Sequence, residues 1–338
     1  MDLKKVSIAV CENENNWHLK FIDSLKAMSA EFEVPVYELV NINTDDWITK
    51  LEKFDVVIWK PNHMGFESAS YFKEKIYFIE KHLGKMVIPN FNTVWHFESK
   101  VAQKYIFEKY NIYTPRTITT FDYHDSLNKL SEFEFPIVMK ESTGAAASNV
   151  RLISSYSHAI SILDEIFCKD SVNQDIKRKG RLLGRMSRKF IQLRKWRKSG
   201  PNQPVAYWQE FIPNNSKDLR ITVIGNKYAF GFWRNNRPND FRASGSGDID
   251  YNSDIPKEVI KYCISISDKL GLDSMAYDVL FADDDFKIVE MSFGYVDTAI
   301  HNSKGYYEVV EDELVLHKGS YWPQEIWVKW AMCKISKI

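Results

Sequence analysis

Along the first 90 residues, short apolar runs alternate with stretches whose apolar positions recur at helical spacing. Strands are predicted at 6–11, 34–40, 55–59 and 87–89. Helices are predicted at 17–30, from Thr44 or Asp45 onward, and between the last two strands. Because parallel strands need a crossover between them, this alternation implies a parallel sheet with helices on its faces. From about residue 95 the pattern changes to a helix over 97–110, a proline-punctuated entry at Thr114-Pro115, and a strand-rich region. There, 135–140 reads as a buried strand ending in Lys140, and 205–213 as a strand stopped by Pro213. Residues 219–224 and 227–233 read as a hairpin turned by Gly225-Asn226.

A second hairpin is predicted from 277–281 and 286–291. If Asp283-Asp284-Asp285 form its turn, Asp278 lies directly opposite Glu290, because side chains alternate along a strand and paired positions share a face. Opposed side chains sit about 5 Å apart, and like charges held there repel. Two readings fit: a solvated hairpin edge, or two carboxylates bracketing a hard divalent cation. Mg²⁺ is usually held by one or two carboxylates plus substrate phosphates, so the second reading points to nucleotide chemistry as well as to metal.

Composition sets the frame for these elements. A chain of 338 residues with 44% apolar and 14% aromatic content can bury a sizeable core in two or three domains, which excludes a disordered class. Formal charge is zero, yet residues 177–198 hold eleven Lys or Arg and no Asp or Glu, so the rest of the chain is acidic. Cys11, Cys168, Cys263 and Cys333 stand singly, without disulfide or CxxC spacing, which fits a reducing cytoplasm. The apolar start is too short for a signal-peptide core, and no run approaches the length of a membrane span. There is no GxGxxG after the first strand, no P-loop, no HExxH and no GxSxG, which disfavours standard dinucleotide sites, zinc hydrolases and serine hydrolases. No feature calls for nucleic acid.

The remaining candidate chemistry is anion binding. After Lys140 comes the small-residue loop 142–148, which would let backbone N–H groups approach a phosphate; an ordinary turn is the alternative. Asp218 and Arg220 stand at one end of the first hairpin, Arg234 and Arg237 at the other, with Arg242 in a Gly/Ser-rich stretch beyond. Guanidinium groups bind phosphate and carboxylate through paired donors, although surface arginines in weak ion pairs would look the same.

In order and spacing, residues 90–295 resemble the ATP-grasp superfamily, in particular its carboxylate-amine ligase branch, which includes ribosomal-protein modification ligases and prokaryotic glutathione synthetases. The resemblance implies an α/β chain: a Rossmann-like parallel domain at 1–94, an ATP-grasp domain at 95–300 with a lid over about 112–208, and a C-terminal extension at 301–338. It assigns Lys100, within Glu98-Ser99-Lys100, and Lys140 to the ATP phosphates. Gln209, Glu210, Phe211 and Ile212 become the adenine hinge, and Asp218 the ribose ligand. Arg220, Arg234 and Arg242 are assigned to the γ-phosphate and the acyl phosphate, Asp278 and Glu290 to Mg²⁺. Two departures stand out: Ser292 where the family usually has Asn, and Ala146, Ala147 and Ser148 where glycines are common.

The reaction implied by this resemblance is amide formation through an acyl phosphate, with ATP and Mg²⁺ as cofactors and a carboxylate and an amine as substrates. A kinase-like phosphotransferase and a non-catalytic nucleotide-binding regulator are the alternatives. The tail through 319–327 resembles ATP-grasp proteins of bacterial surface polysaccharide synthesis, which would make the carboxylate a uronic acid. The basic segment falls in an insertion at 170–203, where Leu182, Leu183, Met186, Phe190, Leu193 and Trp196 recur at helical spacing. Such a helix suits the anionic inner membrane face or a polyanionic glycan; packing against the lid is the alternative.

Overall fold

The computed structural model describes residues 6–29, 35–62, 69–141, 150–167, 204–282 and 285–336. The loop 142–148 and the basic segment 177–198 lie outside these residues. The chain forms two compact units, Met1–Glu98 with Asn215–Ile338, and Ser99–Asn214.

The first unit opens with β1 (Ser7–Cys11), β2 (Val36–Val40), β3 (Val56–Ile58) and β4 (Met86–Ile88). They form a wholly parallel sheet in the order β2-β1-β3-β4, as the β-α alternation predicts. Helices Trp17–Ser29, Trp47–Glu52 and Ala69–Lys81 provide the crossovers. The neighbouring strands β1 and β3 send their following loops to the carboxyl edge of the sheet, the usual place for functional side chains in such folds.

The second unit holds β5 (Thr117–Thr120), β6 (Ile137–Lys140), β7 (Val150–Ile153) and β8 (Ala206–Glu210), antiparallel in the order β5-β8-β6-β7. Alternation divides the two faces. Ile137, Met139, Ile153, Ala206 and Trp208 pack with Leu130, Ala159, Ile162 and Leu163 of helices Tyr123–Leu130 and Tyr156–Phe167. The buried indole of Trp208 donates to Ser126 Oγ at 2.9 Å. Val138, Lys140, Tyr207 and Gln209 therefore belong to the opposite face.

The rest of the first unit is built on β9 (Lys217–Ile224), β10 (Tyr228–Asn235), β11 (Ile249–Asp250), β12 (Ser274–Ala282), β13 (Asp285–Ser292), β14 (Gly305–Val310) and β15 (Glu313–Lys318). Their order is β13-β12-β9-β10-β14-β15, with β11 paired to β10. Ile221, Val223, Met275 and Tyr277 alternate away from the charged face, and Tyr277 bonds Ser267 of helix Lys257–Leu270 at 2.8 Å. The helix stops at Gly271, whose φ of +62° is the left-handed cap that glycine adopts without a Cβ penalty. Residues 301–338 join this unit: β14 and β15 extend its sheet, while Ile326, Trp327, Val328 and Ala331 enter a core shared with Ile8, Val10, Phe21 and Phe230.

Both hairpins depart from their predicted turns. The first turns through three residues, 225–227, so that Tyr228 pairs with Ile224 and Asp218 comes directly opposite Arg234. The second leaves only 283–284 between its strands, which by itself would move every pair by one. A β-bulge between Asp278 and Val279 on one side and Ile288 and Glu290 on the other absorbs Val289, and the pairing Asp278 with Glu290 is recovered.

Candidate active site

Strand β9 lies between β10 and β12, so its even-numbered side chains meet those of both neighbours. Asp218 faces Arg234, Arg220 faces Phe232 and Asp278, and Thr222 faces Phe230 and Ala276. Glu290 and Ser292 continue the same face on β13. The face thus gathers four charged groups predicted to act together, with Glu290 beside them.

Their charges are matched in detail. Asp218 spends both oxygens on Arg234, Oδ1 accepting from Nε at 2.7 Å and Oδ2 from Nη2 at 2.6 Å. Arg234 Nη2 also reaches Asp278 Oδ2 at 2.9 Å, and Arg220 Nη2 donates to the same oxygen at 3.0 Å. Arg220 Nε closes on Asp278 Oδ1, which nonetheless accepts no well-directed hydrogen bond. Asp218, Arg234 and Asp278 are all under 10% exposed. Burial opposes ionisation of Asp278, but Arg220 and Arg234 outweigh it and hold its pKa at about 2. Burial raises the pKa of Asp218 against the pull of Arg234. Burial would lower that of Arg234, yet Asp278 and Asp218 raise it instead. The sequence argument that Asp278 needs a positive partner is therefore met, within this structure, by two guanidinium groups.

The donor set still suits a hard divalent cation. Asp278 and Glu290 are paired carboxylates whose oxygens could ligate such an ion, the Ser292 hydroxyl shares their face, and one Asp278 oxygen lacks a directed donor. Among the described residues no cluster of three or more His, Cys, Asp or Glu could form an all-protein cage, so a cation here would need oxygens from a ligand.

Arg242 stands apart from this group. It grips Asp240, with Nε at 2.9 Å from Oδ1 and Nη2 at 2.6 Å from Oδ2, and it is not among the residues lining the adjoining cavity, although its neighbour Ala243 is. That cavity, of about 540 Å³, is bounded by Arg220, Thr222 and Arg234 and by the 245–247 loop. Tyr251, Tyr295, Thr298 and Asn302 complete its polar lining. Sequence reasoning missed Thr222, whose hydroxyl is buried with no partner among the described residues; its place two residues after Arg220 on one strand was the available signal.

A second buried cation lies in the loop after β3. Lys60 is 2% exposed, and its Nζ has no hydrogen-bond acceptor among the described residues. It lies 4.4 Å from the ring centroid of Phe293, 5.2 Å from Trp17 and 5.3 Å from Tyr295. Burial lowers its pKa to about 7, with Asp297 acting weakly the other way.

In the second unit, Lys140 ends β6, buried, with Nζ 6.0 Å from the Tyr207 ring centroid. Gln209 shares that face and donates from Nε2 to Thr117 Oγ1 at 2.9 Å. Glu210 turns to the other face, where Oε2 accepts from the backbone N–H of Arg116 at 3.1 Å. Phe211 is half-buried and Ile212 buried, just past the strand end. Lys100 is the first residue of helix Lys100–Lys109, predicted from 97 but begun here because Ser99 caps it, Oγ accepting from Ala102 N at 3.2 Å.

Comparison with known proteins agrees with this architecture. Residues 98–302 match the RimK-like ATP-grasp domain. The alpha-aminoadipate–LysW ligase LysX of Saccharolobus solfataricus is 24% identical over 214 residues, which cover 62% of this chain and 65% of that ligase, just under two thirds of its length. Among solved structures, the ATP-grasp ligase PsnB complexed with a minimal precursor superposes with a TM-score of 0.58 at 11% identity, covering 99% of this chain and all of that one. A RimK domain ATP-grasp protein of Sphaerobacter thermophilus gives 0.51 at 14% identity, covering 85% and 90% of the two chains. At such identities the structural likeness concerns the fold alone. The matched domain occupies more than half of the sequence, and the chain belongs to the RimK-like ATP-grasp family.

Proposed function

We propose that this protein is an ATP-dependent ligase that joins a carboxylate to an amine through an acyl phosphate. The observation that carries the reading is the charged face of β9, β10 and β12, which lies within the RimK-like domain and borders a cavity large enough for a substrate. In the reaction a carboxylate oxygen attacks the γ-phosphorus of ATP and ADP leaves. The amine nitrogen then attacks the acyl carbon, loses a proton, and phosphate departs. Lys100 and Lys140 supply positive charge to the phosphates, and Gln209 to Ile212 offer backbone groups to adenine. Arg220 and Arg234 neutralise the charge that develops on the transferred phosphoryl group. Asp218 is a positioning residue in this reading, since both its oxygens orient Arg234. Mg²⁺, held by Asp278 and Glu290, would neutralise phosphate charge when bound.

The names of the relatives point to an amino acid in one case and a precursor in the other. The uronic-acid reading rests on the tail alone, so the proposal takes the substrates as a carboxylate and an amine. No helix among the described residues is long and apolar enough to cross a membrane. The test is ADP release from ATP and Mg²⁺ with panels of carboxylates, using hydroxylamine as the amine. Hydroxamate formation is expected. A phosphorylated product stable to hydroxylamine, or ADP release independent of any carboxylate, would overturn the ligase reading.

A further inference from the structure

The cavity beside the charged face has an uneven chemistry. Among the described residues its charged lining is Arg220 and Arg234, with no Asp or Glu. Each guanidinium commits Nε and Nη2 to Asp218 or Asp278, which leaves Nη1 of both without an acceptor among the described residues. Asp218 and Asp278 are in turn paired with these arginines, and neither is among the residues that line the cavity. Phe232, Ile249, Tyr251, Tyr295 and Ile300 give the remaining wall rings and aliphatic groups, while Thr222 offers one buried hydroxyl with no partner among the described residues. Asn302, exposed among the lining residues, is uncharged.

Resting on the ligase reading above, we infer that the carboxylate substrate of this cavity is an acid with an uncharged, largely apolar or aromatic body and no free amine. An incoming carboxylate finds two guanidinium donors that its oxygens can satisfy, whereas an α-ammonium would meet these two cations and no carboxylate among the described lining residues. A volume of about 540 Å³ also exceeds the needs of a small amino acid and suits an aryl or acylated acid. The Thr222 hydroxyl, buried with no partner among the described residues, matches one neutral polar group on that body, such as an amide or a hydroxyl.

The test is calorimetric titration of matched acids that differ only in the amine: 3-phenylpropionate and N-acetylphenylalanine against phenylalanine, in both enantiomers. The first two are expected to bind at least about tenfold more tightly than free phenylalanine. Asn302→Asp, which places a carboxylate at the rim, is expected to narrow that ratio roughly fivefold by repelling the anions and pairing with the ammonium. Equal or tighter binding of phenylalanine, or no binding of any of these acids at millimolar concentration, would overturn the inference. Hydroxamate formation separates the two claims. Hydroxamate from phenylalanine but not from 3-phenylpropionate would sink the inference and leave the ligase reading standing. Tight binding of 3-phenylpropionate with no ADP released with any amine would do the reverse.

Discussion

Arg234 and Lys60 are both cations buried within one compact unit, yet they are kept in opposite ways. Arg234 sits between two carboxylates, and Asp278 and Asp218 raise its pKa despite burial. Lys60 has three aromatic rings and, among the described residues, no acceptor, and burial lowers its pKa to about 7. The quadrupole of a ring attracts a cation, but by about 2 kcal/mol at best when desolvated, too little to replace lost hydration. A charge meant to act on an anion must be held permanently, which costs the fold a matched set of carboxylates. Lys60, near neutrality, is held as an amphipathic packing residue whose charge is an expense.

The contrast predicts opposite signs for the same substitution. Arg234→Met should destabilise the protein by about 3–5 kcal/mol, because Asp218 and part of Asp278 are left buried without their partner. In wild type the pKa of Asp278 is about 2 against an ordinary 3.8. Its share of stability is therefore present above about pH 4 and lost as pH falls through about 2. In the variant that acid loss should begin at higher pH. Chemical denaturation at several pH values reads both effects, and an unchanged midpoint would show that the pair contributes nothing.

Next in size are two variants that remove charge without disturbing the buried pairs. Glu290→Ala and Lys140→Ala should each lower turnover by about 10² to 10³, the usual cost of one group that stabilises transition-state charge. Denaturation midpoints measured alongside should move little for Glu290→Ala, since that side chain is half-buried at most. Near-normal hydroxamate formation would remove the residue concerned from the site.

Lys60→Met should instead stabilise, by up to about 4 kcal/mol at pH 7. The folded pKa is lowered from 10.5 to about 7, so the unfolded chain binds more protons between those values and wild-type stability rises with pH across that window. The penalty is complete below about pH 7 and gone near pH 10.5. The gain from Met should shrink accordingly, and a gain constant from pH 6 to 10 would mean that the pKa of Lys60 is not lowered in the fold.

How much of this was legible beforehand is clearest in the two hairpins. Strand type followed from alternation, and Asp278 opposite Glu290 was predicted correctly, yet for an incomplete reason. The paired strands leave two residues between them instead of three, and the Val289 bulge restores the register. A bulge leaves no mark in side-chain periodicity, because it is one backbone residue without a partner. In the first hairpin one added turn residue, Lys227, brings Asp218 opposite Arg234. The sequence therefore showed which charged residues belong to the face, while their pairing depended on turn geometry. Arg242 was placed with the phosphate ligands from motif order, but Asp240, two residues away, competes for it locally. Lys60 was unreadable for another reason: nothing near it in sequence signals that Trp17 and Phe293, from distant segments, enclose it.

The smallest expected effect concerns how a cation would compete with the guanidinium groups already on Asp278. To be ligated by that carboxylate, Mg²⁺ must displace Arg220 or share an oxygen with it. A third oxygen ligand on the same face would favour the cation. Ser292 occupies the right position, two residues beyond Glu290 on β13, but its hydroxyl is tied to the following turn, accepting from Gly294 N at 3.1 Å and lying 3.2 Å from Gly294 O. A hydroxyl is short, and it cannot keep those bonds and also reach outward. Ser292→Asn extends the side chain by one carbonyl at the cost of the two local contacts. It should lower the Mg²⁺ concentration for half-maximal hydroxamate formation by a few-fold, under about 1.4 kcal/mol, with little change in the maximal rate. A Mg²⁺ titration of the two proteins at saturating ATP decides it. An unchanged or higher requirement would place residue 292 outside the coordination shell and leave Asp278 and Glu290 to hold the cation with ligand oxygens alone.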